Sequence, residues 1–79
     1  MSDQMSDQIV TLKGHTFSPK ESCLMIALAK DRSLSEIAAD MHLSDSTVQF
    51  YLRNILRRLE CEDFLELMLL LKDLEISGL

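Results

Sequence analysis

The stretch that decides the fold is Ser33 to Leu59, SLSEIAADMHLSDSTVQFYLRNILRRL, which predicts a short helix, a tight turn and a longer helix. Ser33 is a suitable N-cap, because Glu36 follows three residues later and completes a capping box. The apolar stripe that follows predicts a helix over about 34–41. Ser44 then offers a second N-cap, so a turn is expected just before it.

The longer helix is predicted over about 45–59, and its apolar residues recur at helical spacing. They are Val48, Leu52, Ile55 and Leu59. The opposite face carries Ser46, Gln49, Phe50, Arg53 and Arg57. Two helices joined by a short turn, with polar and basic side chains on the outer face of the second, are typical of a helix-turn-helix.

Four residue strings make this interpretation more specific. They are S-x-x-E-I-A at 33–38, L-S-x-S-T-V at 43–48, R-N-I-L-R-R-L at 53–59 and F-S-P-K-E at 17–21. In combination they resemble the LuxR-type (GerE-type) DNA-binding domain over roughly residues 17–74. The resemblance implies an all-α fold of four helices that places helix 45–59 in the major groove of double-stranded DNA. The positions that match the family's contacts are Ser46, Thr47, Gln49, Phe50, Arg53 and Arg57.

The side chains at these positions have suitable chemistry for the groove. Gln can pair bidentately with adenine, and Arg can bind guanine or a phosphate. Two neighbouring positions depart from the family, however, since Gln49 stands where Lys is usual and Tyr51 where His is usual. An exposed Phe50 beside Tyr51 also suits a protein contact, so a protein-facing surface stays open as an alternative.

The first helix of the domain has a clear predicted start. Ser18 caps it, Pro19 occupies the first turn and Glu21 completes a capping box, so a helix is expected to about Lys30. Asp31 follows where the family commonly has Gly. Asp adopts the left-handed conformation less readily than Gly but more readily than most residues.

The last helix is predicted over about 64–76, with Asp63 as its cap. It is apolar nearly all round, whereas covering one small core needs only a stripe. The side chains expected to face the core are Leu67, Leu70, Leu71 and Leu74, and those left over are Phe64 or Leu65, Met68 and Leu69. An exposed patch of this kind is rare on a monomer, and the family dimerises through this helix, so a homodimer is expected. The same surface could instead receive another transcription regulator.

Residues 1–16 are expected to be a disordered or loosely packed N-terminal tail, and residues 17–79 the domain. The tail begins with a tandem repeat of Met-Ser-Asp-Gln over 1–8, which has nothing to bury. Ile9 to Leu12 is short and mainly apolar. We expect it to be a strap that packs on the helices rather than a strand added to a partner's sheet.

Composition limits the other possibilities. With 79 residues, 47% of them hydrophobic and 5% aromatic, the chain has room for one small helical domain. The sequence contains neither an apolar run long enough to span a bilayer nor the basic and apolar regions of a signal peptide. A cytoplasmic location and no membrane contact are therefore expected. Neither cofactor nor metal is expected, because Cys23, Cys61, His15 and His42 have no ligand spacing. With no catalytic set in the sequence, we expect no enzyme.

The net charge of −5 complicates the DNA-binding interpretation, because phosphate neutralisation supplies much of the affinity of such domains. Positive charge is concentrated in the longer helix, which carries Arg53, Arg57 and Arg58. The first hypothesis is therefore a stand-alone dimeric transcription regulator that reads DNA with helix 45–59. The alternative is a small acidic anti-activator that sequesters a regulator through its apolar C-terminal helix without binding DNA.

Overall fold

The computed structural model describes residues 8–73 and 75–77. Its elements in chain order are β1 (Ile9–Leu12), β2 (His15–Thr16), α1 (Pro19–Ala29), α2 (Leu34–Met41), α3 (Asp45–Arg58), α4 (Phe64–Leu70), a 3₁₀ turn (Leu71–Asp73) and β3 (Glu75–Ser77). The four predicted helices are confirmed in order and type. The predicted disorder of residues 1–7 lies outside the described residues.

Each helix begins at a polar side chain that satisfies a backbone donor. The side-chain oxygens of Ser18, Ser33, Ser44 and Asp63 accept hydrogen bonds from the N–H three residues later, over 3.2, 3.1, 3.1 and 2.9 Å. Ser18 and Ser33 also form the predicted reciprocal boxes. At α4, however, the Glu66 carboxylate accepts from the N–H of Glu62, one residue before the cap. Local sequence therefore fixes where the helices start.

Three helices end on a residue other than glycine in the left-handed conformation. Asp31, His42 and Glu60 have φ of 64°, 59° and 57° and follow α1, α2 and α3. Around each, the next N–H reaches back to a carbonyl five residues earlier, as in a Schellman motif, over 3.2, 2.9 and 2.9 Å. Side chains other than glycine, asparagine and aspartate adopt this conformation at an energetic cost. The ends of α2 and α3, at His42 and Glu60, are therefore more strained than a glycine would make them.

The core is centred on α1, which is buried on nearly every side from Ser22 to Leu28. The other elements pack their apolar faces against it. Their most deeply buried side chains are Val10, Phe17, Ile37, Val48, Ile55, Leu59 and Leu67. The apolar faces predicted for the helices are thus the ones that enclose the core.

A small antiparallel sheet corrects the all-α prediction. Its strand order is β2-β1-β3, with Leu12 opposite His15 and Val10 opposite Ile76. Residues 9–16, which the sequence assigned to a disordered or loosely packed tail and a strap, form the hairpin of β1 and β2. The hairpin turns at Lys13 and Gly14, whose φ of 53° and 80° fit a two-residue type I′ turn. Val10 is fully buried, so β1 belongs to the domain's core.

The C-terminal helix is shorter than predicted. It ends at Leu70 and passes through a 3₁₀ turn into β3, whereas the sequence predicted helix to residue 76. The reason is tertiary, because the exposed edge of β1 has backbone groups that need partners and β3 supplies them. Leu67 and Leu71 are buried as expected. The expected burial of Leu74 concerns a residue outside the described ones.

A buried serine joins the hairpin to α1. The Ser22 hydroxyl accepts from the N–H of Val10 at 2.9 Å and donates to the carbonyl of Phe17 at 3.2 Å. Ser22 has no exposed surface. This one side chain therefore satisfies two backbone groups that would otherwise be buried without partners.

Candidate nucleic-acid interface

Helix α3 presents most of the predicted DNA-contact residues on a single face. Its other face is held in the core by Val48, Leu52 and Ile55. The exposed side chains are Ser46, Gln49, Phe50, Arg53 and Arg57. Residues three and four apart are neighbours on a helix, so these five form a continuous stripe. The structure therefore brings five of the six predicted positions together.

Thr47, the sixth predicted position, is half-buried at the start of α3. Its hydroxyl lies 2.9 Å from the Ser44 hydroxyl, and its N–H donates to the same oxygen at 3.1 Å. A hydroxyl has one donor and two acceptor sites, so this pairing leaves the Thr47 hydroxyl capacity for two more partners. Its first role is nevertheless to hold the N-terminus of α3.

The three arginines of α3 have different environments. Within the part of the chain that the structure describes, Arg53 and Arg57 form no ion pair with a carboxylate. Arg58 instead pairs with Glu21 at 3.5 Å and donates to the carbonyl of Thr16 at 3.3 Å. Its guanidinium also lies over the Phe17 ring. Two of the three arginines are therefore available to an external ligand, and the third belongs to the fold.

The C-terminal end of α3 is fixed by contacts that the sequence did not predict. The Lys13 ammonium donates a 3.0 Å hydrogen bond to the carbonyl of Leu59. A cation at the C-terminus of a helix is favourable to its dipole. Because 46 residues separate the two partners, no local signal could have indicated this bond. Lys13 and Arg58 together attach the hairpin to the base of the candidate interface.

Helix α2 supports α3 and contributes little positive charge. Arg32, just before α2, forms an ion pair with Asp40 near its end. The hydrogen bond from the backbone N–H of Ser33 lowers the pKa of Glu36, and the nearby Arg32 lowers it further. Glu36 is consequently ionised at neutral pH. On the exposed side of α2, Arg32 and Asp40 thus neutralise each other and Glu36 adds a negative charge, whereas the exposed side of α3 carries Arg53 and Arg57.

Catalytic and metal chemistry has few candidates in the described ranges. No group of three or more His, Cys, Asp or Glu side chains in residues 8–73 and 75–77 could hold a metal ion. Partial burial, together with the charge of Glu66, raises the pKa of the Cys61 thiol, which disfavours the nucleophilic thiolate. No helix in the same part of the chain is long and apolar enough to cross a membrane.

A second surface, which we call the α4 face, is apolar and exposed. It consists of Phe64, Leu65, Met68 and Leu69, the four residues predicted for an interface. Leu65 and Leu69 have 68% and 57% of their surface accessible, while Met68 is half-buried. An open groove lined mainly by Leu28, Leu34, Leu52, Phe64 and Met68 continues this face toward α1 and α2. The exposed apolar side chains of α4 thus form one contiguous area.

The pair α2 and α3, joined by a short turn and exposing Arg53 and Arg57, places the chain in the class of helix-turn-helix proteins. Residues 15–71 match the GerE family, described as bacterial regulatory proteins of the luxR family. The chain belongs to this family of DNA-binding transcription regulators, since the match covers well over half of it. No curated protein and no solved structure matches the chain.

Proposed function

We propose that this protein is a dimeric transcription regulator that reads the major groove of DNA with α3. The observation that carries the proposal is the exposed stripe on α3, in which Arg53 and Arg57 lie beside Gln49 and Phe50. Arginine and glutamine are the side chains best suited to guanine and adenine edges. The buried face of α3 holds the stripe rigidly, which favours a fixed docking geometry.

Position along α3 gives the residues different roles. In a helix-turn-helix the N-terminal part of the second helix contacts base edges. Ser46, Gln49, Phe50 and Arg53 lie in that part of α3, and Arg57 follows a turn later. We therefore assign the first four to base contacts and Arg57 to a phosphate. Thr47 is assigned to a phosphate near the start of α3, where the helix dipole favours an anion.

Dimerisation through the α4 face is part of the same proposal. Leu65 and Leu69 point away from the core and would be covered by the same residues of a second copy. Two α3 helices would then enter successive major grooves, about one helical turn of DNA apart.

An anti-activator that binds another regulator through the α4 face is the second candidate function. Its support is the net charge of −5 together with the exposed Leu65 and Leu69. A net negative charge repels the phosphates of DNA everywhere except close to the arginines of α3. In this case the α4 face would be covered by a different protein, and α3 would stay uncovered.

A gel shift against random-sequence duplexes at low and moderate salt, beside sedimentation of the protein alone, tests the proposal. Sequence-selective retardation by a dimer is the expected result. Retardation absent at both salt concentrations would overturn DNA reading and favour the anti-activator. Selective retardation by a protein that sediments only as a monomer would remove the dimer from the proposal.

A further inference from the structure

Phe50 is exposed in an unusual position for an aromatic side chain. It has 59% of its surface accessible and lies on the outward face of α3, opposite the core. Its ring makes an edge-on contact with Tyr51, with centroids 6.2 Å apart at an interplanar angle of 63°. Tyr51 is half-buried and thus anchors one side of the ring. The other side of the ring faces solvent in a defined direction.

The neighbours of Phe50 argue against a protein-binding role. Its neighbours along the stripe, Ser46 four residues before it and Arg53 three residues after it, are both polar and exposed. A protein interface is expected to have a contiguous apolar centre. The chain does present such an area, but it is the α4 face, and Phe50 does not line the groove described there. Apart from its contact with Tyr51, the exposed ring is therefore an apolar group within a polar stripe that carries two arginines.

The major groove of DNA presents one matching apolar group, the C5-methyl of thymine. We propose that Phe50 is a specificity-determining residue that selects thymine by covering this methyl group. This inference rests on the proposed function, since it requires α3 to lie in the groove. A helix rises 1.5 Å per residue, which places Arg53 roughly 4.5 Å further along α3 than Phe50. That distance is close to one base-pair step, so the thymine lies next to or near the base pair that Arg53 contacts.

The test uses uracil, which differs from thymine by the loss of this methyl group. A selected duplex is prepared in several versions, in each of which a single thymine is replaced by uracil. The affinity of the protein for each version is measured by titration. One thymine per half-site is expected to show a loss of about fourfold in affinity, corresponding to one uncovered methyl group. With Phe50→Ala, the thymine and uracil duplexes should bind equally.

Gln49→Ala is the matched control, because it shortens a neighbouring side chain on the same stripe. It should weaken binding and still show the fourfold preference for thymine. Circular dichroism of both variants should equal that of the native protein, since both side chains are exposed.

The outcomes separate the inference from the proposed function. Selective DNA binding with no effect of uracil at any position would overturn the role of Phe50 and leave DNA reading intact. A uracil effect that persists in Phe50→Ala would also overturn it. If Phe50→Ala changes sedimentation rather than DNA affinity, Phe50 is a protein contact and the inference is wrong. If the native protein binds no duplex selectively, both the role of Phe50 and the proposed function are overturned.

Discussion

The guanidinium carbon of Arg58 lies 4.6 Å from the centroid of the Phe17 ring. Phe17 is buried and lies in the chain between the hairpin and α1, so this contact attaches the last turn of α3 to that connection. Arg57, the preceding residue, is exposed and has no such contact among the described residues. Of two arginines adjacent in the sequence, Arg58 therefore contributes to the fold, whereas Arg57 makes no such contact and is the one that we propose for binding.

Arg58→Ala should lower the free energy of unfolding by about 1 to 2 kcal/mol, because it removes the cation–π contact and the hydrogen bond to Thr16. Arg57→Ala, which removes the same charge one residue away, should change it by less than about 0.5 kcal/mol. Urea unfolding at one fixed protein concentration measures both. Equal effects of the two substitutions would contradict the assignment of Arg58 to the fold.

Arg53→Ala and Arg57→Ala should weaken binding to a selected duplex. For each phosphate that is no longer neutralised, the slope of log affinity against log salt should fall by about 1. A weaker affinity without a change of slope would assign the residue to a base instead. Lys30→Ala, at the exposed end of α1, removes the same charge away from α3 and should change neither quantity. DNA binding that is insensitive to both arginines would rule out this use of α3.

Ser22→Ala should destabilise the domain by about 2 kcal/mol, because it leaves the buried N–H of Val10 and the carbonyl of Phe17 without their partner. Ser35→Ala, on the exposed side of α2, removes the same hydroxyl and should change stability by less than about 0.5 kcal/mol. Thermal unfolding of the two variants provides the comparison. Similar melting temperatures would show that the hydroxyl of Ser22 contributes little.

Glu60→Gly should stabilise the protein, because glycine adopts the left-handed conformation without the steric strain of a Cβ atom. The free energy of unfolding of Glu60→Gly should exceed that of Glu60→Ala by about 1 kcal/mol. This difference is the strain that glycine relieves, reduced by the larger entropy that glycine gives to the unfolded chain. Both variants remove the same carboxylate, so their difference isolates the backbone effect. Chemical unfolding measures it, and equal stability of the Gly and Ala variants would be the contrary result.

Leu65→Asp and Leu69→Asp should each convert the proposed dimer to a monomer, because each places a charge at the centre of the α4 face. Stability of the isolated domain should change little, since both side chains are exposed. DNA affinity should fall, as a monomer contacts one half-site. Ser35→Asp adds the same charge on α2 and serves as the control. Sedimentation equilibrium over a range of concentrations gives the result, and dimers in either leucine variant would place the interface elsewhere.

Local sequence signals predicted the helices well. The caps at Ser18, Ser33, Ser44 and Asp63 act over three or four residues, so their effect can be derived from neighbouring residues alone. The buried face of α3 follows in the same way from the spacing of its apolar residues. The exposed stripe consists of the side chains on the other side of α3. Which residues of α3 are exposed could therefore be predicted from the sequence.

The sheet could not be predicted in this way. Strand β3 is separated from β1 by most of the chain, and its apolar pattern continues that of α4. The choice between helix and strand at residues 75–77 depends on the open edge of β1, which exists only once the hairpin has packed on α1. Short segments of this kind follow their tertiary surroundings more than their own propensity.

The sequence by itself determined where each helix begins, which face of α3 is buried and the family to which the chain belongs, because those properties depend on neighbouring residues. Only the tertiary structure decided which arginines remain available. Arg58 is bound by Phe17, Thr16 and Glu21, about 40 residues away in the chain, and Lys13 closes the end of α3 from 46 residues away. Contacts over such separations arise from packing, and no local pattern of residues encodes them.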